Sequence, residues 1–418
     1  MIRHTHRGRL RHALLAALGA AAVSPVVGAE QASGKAAPLE TTGTASPEPW
    51  KRYGNWAQID WTYNTLREEK SPPVPKQFQK VYGPITDGDA ERGKKLFGDR
   101  SKGGSCMVCH VVPGASLAGN VGPDLSTVGT WGRPDWRLYN YIYDARQFNP
   151  NTMMPPWGTN GVLNDQEIRD LVTYLKTLKE PAKLSDLDNP NTRPLPKVTA
   201  DYRDPTENPA MFELDRGKEL FSKAGPSGKS CAGCHKDPAK EFKTWAARMP
   251  YYEPRMKKVL NSEEFLARHA RATTGEDWRM QTEENTALSI YVRHFADGQP
   301  INIQFRTAEE KASARKGKEL MARKVGQLNF MCNDCHGQAA DKWMRGQYVL
   351  GSKNQVGRHP YWRTSQGEVW TLRKRFQWCG VAVRADELPP DAPEYGYLEY
   401  YLTSLSNGKP IDGPGIGH

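Results

Sequence analysis

The chain has 418 residues, enough for several ordinary domains, and only 38% of them are apolar, a lean share for a globular core. Twelve tryptophans and 10% aromatic residues exclude a disordered chain, and a net charge of +11 with no dense run of Lys and Arg excludes nucleic acid as the expected partner. Seven cysteines, an odd number, exclude a framework in which every thiol is paired within the chain.

Residues 1–29 read as a secretory signal peptide. Arg3, Arg7, Arg9 and Arg11 precede an apolar run from Ala13 to Ala22. That run is shorter than the roughly 20 residues needed to span a bilayer, and small residues Val27, Gly28 and Ala29 precede a cleavage position at Glu30. The mature protein is then exported to the periplasm, with no further candidate membrane span. Residues 30–84, with Trp50, Trp56, Trp61 and Tyr63 among charges, read as an N-terminal extension laid over a neighbouring surface.

From residue 85 a pattern recurs three times. Arg92-Gly93-Lys94-Lys95-Leu96-Phe97, Arg216-Gly217-Lys218-Glu219-Leu220-Phe221 and Lys316-Gly317-Lys318-Glu319-Leu320-Met321 each predict a short helix. Their glycines stand 13, 14 and 15 residues ahead of Cys106, Cys231 and Cys332. Each repeat closes on an amphipathic helix, read from Ile168, Leu171, Val172 and Leu175, from Leu288, Tyr291, Val292 and Phe295, and from Leu398, Tyr401, Leu402 and Leu405. Asn164 and Glu167 predict a capping box for the first. The turns Asp297-Gly298-Gln299-Pro300-Ile301 and Asn407-Gly408-Lys409-Pro410-Ile411 are duplicates, which makes the second and third repeats closer relatives of each other. The fold class expected is mainly α. Three tandem helical domains, at 85–180, 209–303 and 304–418, are joined by irregular linkers such as the Pro-rich 181–208.

The haem assignment rests on Cys106-Met107-Val108-Cys109-His110, Cys231-Ala232-Gly233-Cys234-His235 and Cys332-Asn333-Asp334-Cys335-His336. Two thiols at this spacing form thioethers to the haem vinyl groups, and the adjacent imidazole of His110, His235 or His336 binds the iron. The three helical domains are thus expected to be haem domains of class I cytochrome c type, and three covalent haem c groups also answer the lean composition, since each macrocycle adds apolar core. The candidate sixth ligand in the first domain is Met154, with Met153 as the alternative. In the second it is His269, with Met280 and His294 as alternatives. In the third it is Cys379, the one cysteine left over. The intervals from motif histidine to Met154, His269 and Cys379 are 44, 34 and 43 residues. Arg373, Lys374, Arg375 and Arg384 flank Cys379, which favours its thiolate and offers a landing site for a small oxyanion. A thiolate ligand lowers a haem potential and a thioether raises it, so electrons released at Cys379 run toward the first domain.

On these residues the chain resembles a known system. The stretch 86–180, with Cys106 to His110, Gly119 to Leu125 and Asn149 to Gly158, is similar to the monohaem SoxX subunit of bacterial thiosulfate oxidation. The stretch 207–414, with its two haem motifs, Gly326-Gln327-Leu328-Asn329, Arg375, Cys379 and Val383-Arg384-Ala385, is similar to the SoxA subunit. The resemblance implies an L-cysteine S-thiosulfotransferase that conjugates thiosulfate to a cysteine of the SoxYZ carrier and passes two electrons to a soluble cytochrome c. It implies that Cys379 is the active-site haem ligand, acting as a persulfide, with Arg375 and then Arg384 as anion-binding neighbours. The two subunits are fused here, and His269 stands where the family places a cysteine ligand. A thiosulfate dehydrogenase forming tetrathionate and a non-catalytic multihaem electron carrier are the competing readings.

Overall fold

The computed structural model describes Leu66 and residues 73–80, 83–101, 105–196, 203–353, 355–385 and 388–417. The expected signal peptide and Trp50, Trp56, Trp61 and Tyr63 of the extension lie outside the described residues.

The first module comprises α1 (Ala90–Gly98), α2 (Asp135–Asp144) and α3 (Asp165–Thr177). Asp89 caps α1 by accepting the Arg92 amide, and Asn164 and Glu167 form the expected capping box on α3. The second contains α4 (Ala210–Ser222), the single turn α5 (Cys231–Cys234), α6 (Pro238–Ala246), the hairpin β1 (Tyr251–Glu253) and β2 (Lys258–Leu260), α7 (Ser262–Thr273) and α8 (Glu283–His294). The third contains α9 (Ala308–Met321), the hairpin β3 (Trp343–Met344) and β4 (Gln347–Tyr348), the strands β5 (Tyr361–Arg363) and β6 (Glu368–Trp370), α10 (Leu372–Ala382), α11 (Pro393–Ser404) and β7 (Gly415–Gly417). The fold is mainly α, as expected, and the short hairpins are additions that helical periodicity does not announce.

Among the described residues one crossing occurs three times: α1 lies on α3, α4 on α8 and α9 on α11. The repeated glycines are the points of contact. A Cβ on Gly93, Gly217 or Gly317 would stand 2.1, 2.2 or 2.1 Å from the carbonyl oxygen of Asp170, Ala287 or Tyr397. Any larger residue would therefore push the paired helices apart.

The second and third modules repeat in detail. In each, a hairpin leads through a capping residue, Asn261 or Thr371, into the helix that bears the odd ligand candidate, His269 in α7 or Cys379 in α10. The duplicated exit turns pair with each other: Gly298 donates to Ile411, Ile411 to Gln299, Ile301 to Lys409 and Gly408 to Ile301. Ala246, Val259, Ile301, Tyr400 and Ile411 form a shared core beneath them.

The first module docks on the third. Its core of Phe97, Leu138, Ile168 and Leu171 continues into Leu328 and Phe330. The Asn120 amide donates to the Trp343 carbonyl at 3.0 Å, and the Arg345 amide to the Val108 carbonyl at 3.0 Å. Residues 184–193 run along this seam. Arg193, 6% exposed, donates to the Ala118 and Arg345 carbonyls and lies 4.6 Å over the Trp343 ring.

Candidate active site

Each Cys-x-x-Cys-His segment forms a tight helical turn shortly after α1, α4 or α9, and all three histidines are held in the same way. The Nδ1 of His110 bonds the Pro123 carbonyl at 2.8 Å, that of His336 the Leu350 carbonyl at 2.8 Å, and that of His235 the Glu241 carboxylate at 2.6 Å. A neutral imidazole that donates from Nδ1 presents Nε2 as a free lone pair, the arrangement a metal-binding histidine needs. The Gly122 backbone lies flat against His110, where a Cβ would be 2.4 Å from Cε1.

Burial pushes Cys106, Cys109, Cys332 and Cys335 up to about 12. Buried, uncharged sulfurs of this kind suit thioethers, which carry no charge. The described residues hold no group of three or more His, Cys, Asp and Glu side chains placed to take a metal ion. The donor set therefore suits covalent haem.

In the second module the ring facing His235 is that of His269. Their centroids are 5.9 Å apart, and His269 stacks on Phe265 at 5.5 Å. Two imidazoles sharing one ion through ring nitrogens at about 2 Å span roughly this distance. Burial, and then the neighbouring His235, hold His269 below the ordinary imidazole range, which keeps it neutral. Phe221, Phe242 and Trp245 line the rest of the pocket. Met280 is buried at 3% exposure, and His294 ends α8 beside Phe295. In the first module Met153 and Met154 both pack against the same core as Cys106.

In the third module Cys379 is partly buried and within electrostatic reach of Cys332 and Cys335. Arg375 stands one helical turn before it on the same face. Burial opposes the charge of Arg375, but Cys379 and Tyr361 outweigh it and hold the guanidinium above its ordinary range. Its Nη1 is buried with no hydrogen-bond partner.

The other flanking cations are elsewhere. Arg373, 0% exposed, is turned to the opposite side of α10, where it bonds Glu399 at 2.7 Å and Glu264 at 3.0 Å. Lys374 pairs with Glu368 at 2.9 Å. Helical geometry explains both: residues five and six positions from Cys379 face away from it, whereas the residue four away does not. Arg384 caps α10 with φ 60°, and its guanidinium reaches Gln327 at 2.8 Å and Ser101 at 3.5 Å, in the seam with the first module.

Arg363, 2% exposed on β5, is the residue that sequence reasoning missed, and it too lies within electrostatic reach of Cys379 and Arg375. The internal repeat holds the signal for it. Aligning Pro250 to His269 with Pro360 to Cys379 sets Arg363 against Glu253, a reversal of charge. Cys335 is also close enough to Cys109 for a thiolate at one to disfavour a thiolate at the other, so the first and third motifs are neighbours.

Residues 216–301 and 316–411 match the family model for the SoxA/TsdA cytochrome c domain, and residues 90–179 match that for cytochrome c. Cytochrome c domains bind haem c covalently, so the chain is a haem c protein. The L-cysteine S-thiosulfotransferase subunit SoxA of Pseudaminobacter salicylatoxidans is 30% identical over 211 residues, covering 50% of this chain and 73% of that protein. Its counterpart in Paracoccus pantotrophus is 26% identical over 218 residues, covering 52% and 74%. The crystal structure of SoxXA from Paracoccus pantotrophus aligns with a TM-score of 0.49 at 26% identity, over 52% of this chain and 81% of that one. No described helix is long and apolar enough to cross a membrane.

Proposed function

The chain belongs to the SoxA family of L-cysteine S-thiosulfotransferase subunits, and from that membership we propose a periplasmic enzyme that conjugates thiosulfate to a cysteine of a SoxYZ-type carrier. A SoxX-like first module is fused ahead of the SoxA-like pair. The pairing of Arg375 with Cys379 carries this reading: an unpartnered buried guanidinium nitrogen beside a sulfur that lies next to a haem motif.

Three haem c groups would be held by Cys106, Cys109 and His110, by Cys231, Cys234 and His235, and by Cys332, Cys335 and His336, with Met154, His269 and Cys379 as the further residues that would bind the irons. These groups supply the one-electron acceptors that the oxidation needs, ahead of a soluble cytochrome c. The net change joins the outer sulfur of thiosulfate to the carrier sulfur in one S–S bond, with loss of the thiol proton and two electrons. Arg375 donates to the sulfonate oxygens and turns the outer sulfur toward Cys379. Cys379, bare or as a persulfide, bonds that sulfur as two electrons leave. The carrier thiolate then attacks the same sulfur, and Cys379 departs as the thiolate if bare or as the persulfide anion if it carries an extra sulfur. Arg384 acts as a positioning residue that fastens the first module to the third.

A second reading is thiosulfate dehydrogenation to tetrathionate, because the matching family model spans both SoxA and TsdA. Reduction of an acceptor cytochrome by thiosulfate, with and without the carrier thiol, separates the two. Carrier-dependent reduction is expected. Carrier-independent reduction with tetrathionate as product favours the second reading, and no reduction leaves a plain electron carrier.

A further inference from the structure

The fold answers its other buried arginines with oxygen acceptors: Arg193 bonds the Ala118 and Arg345 carbonyls, Arg384 bonds Gln327, and the rest meet carboxylates. Arg146 meets Asp144 at 2.6 Å, and Arg373 meets both Glu264 and Glu399. Arg363 and Arg375 are exceptions, since among the described residues neither guanidinium meets a carboxylate, a carbonyl or an amide oxygen. Arg363 is 2% exposed and its Nε is buried without a hydrogen-bond partner. Its guanidinium lies 5.4 Å over the Trp370 ring, and Nη1 is 3.4 Å from the Tyr361 hydroxyl. The ring of Trp370 in turn meets that of Trp378, next to Cys379, at 5.4 Å. This contact ties the hairpin to α10 beside the sulfur. At the matching place in the second module Glu253 pairs with Arg255 at 2.7 Å, so the double cation occurs where the odd cysteine is and not at the histidine site.

Two guanidiniums within electrostatic reach of each other, with buried unpartnered nitrogens, repel each other and are costly to desolvate unless an anion answers them. A Cys379 thiolate balances one charge at most. The remaining charge and the unpartnered nitrogens, Nε of Arg363 and Nη1 of Arg375, call for a ligand that is anionic and presents several oxygens.

We propose that Arg363 is a second substrate-binding residue, which with Arg375 forms a two-guanidinium receptor for the sulfonate end of a dianion and selects dianions over monoanions. The proposal rests on the thiosulfate reading above and adds to it the residue that sets charge selectivity. The two arginines hold the three-oxygen end and leave the outer sulfur to face Cys379.

The test is calorimetric binding of thiosulfate, sulfate and methanesulfonate to the haem-loaded full chain, as wild type and as Arg363→Gln. The variant is expected to weaken both dianions by about tenfold to a hundredfold, the range lost with a charged hydrogen bond, and the monoanion much less. The KM for thiosulfate is expected to rise by the same factor at unchanged kcat. Arg363→Met keeps an unbranched apolar stem of similar length and replaces the glutamine variant where that one does not fold, as judged by its haem spectrum and melting curve. Wild type that binds thiosulfate alongside variants that bind it within twofold overturns the receptor and leaves the functional reading standing. Wild type that binds no thiosulfate overturns that reading and the receptor with it.

Discussion

Asn160 and Gln327 exchange two hydrogen bonds across the seam between the first and third modules, Asn160 Nδ2 donating to the Gln327 carbonyl at 2.7 Å and Gln327 Nε2 to the Asn160 carbonyl at 3.0 Å. Arg384 donates to the remaining Gln327 oxygen at 2.8 Å. Both partners are buried, so Asn160→Ala strands polar groups away from water and is expected to cost about 2 to 4 kcal/mol in denaturant unfolding. Gln327→Ala is expected to cost a similar amount, because each side chain donates to a main-chain carbonyl that alanine retains. Losses below about 0.5 kcal/mol for both would mean that the seam does not depend on this exchange.

His269 is expected to give the second haem a bis-imidazole character. In electron paramagnetic resonance, His269→Ala should abolish one low-spin bis-imidazole signal and leave the thiolate-type signal of the third module intact. Loss of the thiolate signal instead would place the ligands differently.

Arg373 is a structural ion-pair node. Arg373→Met leaves Glu264 and Glu399 without their shared cation and is expected to destabilise the chain by about 3 to 5 kcal/mol. Because Arg373 faces away from Cys379, KM for thiosulfate in the folded fraction should stay within twofold of wild type. A large rise in KM would return Arg373 to the anion site.

Glu263 gives the stability a pH dependence of known sign. It is 3% exposed, and burial, partly offset by a hydrogen bond to Thr371, pushes it from 4.5 to about 7. Between those values the folded chain keeps a proton that the unfolded chain has released. Stability therefore falls as pH rises from 4.5 to about 7 and levels off above, by about 3 kcal/mol in all. Glu263→Gln should flatten that part of the profile, measured as denaturant midpoints at about pH 5 and about pH 8. An unchanged slope would assign it to other groups.

The helices and motifs could be read in the chain because they rest on local periodicity. Gly93, Gly217 and Gly317 recur because three helix crossings each exclude a side chain. The duplicated turns at Gly298 and Gly408 recur, but only the folded chain reveals that they pair with one another. The environment of Cys379 was the least accessible to sequence. Proximity along the chain grouped Arg373, Lys374, Arg375 and Arg384 together, and the helical rotation of α10 keeps only Arg375 on the sulfur's face. Arg363, 16 residues earlier, is carried there by a hairpin that apolar patterning does not disclose.

The most direct measurement is the intact mass of the carrier protein after incubation with thiosulfate, acceptor cytochrome and either the wild-type chain or Cys379→Ala. Wild type should add one thiosulfonate group to the carrier cysteine, and the variant, with all three haems still bound, should add none. A carrier that gains the group equally with the variant, or gains nothing while wild type makes tetrathionate, would contradict Cys379-dependent thiosulfotransfer.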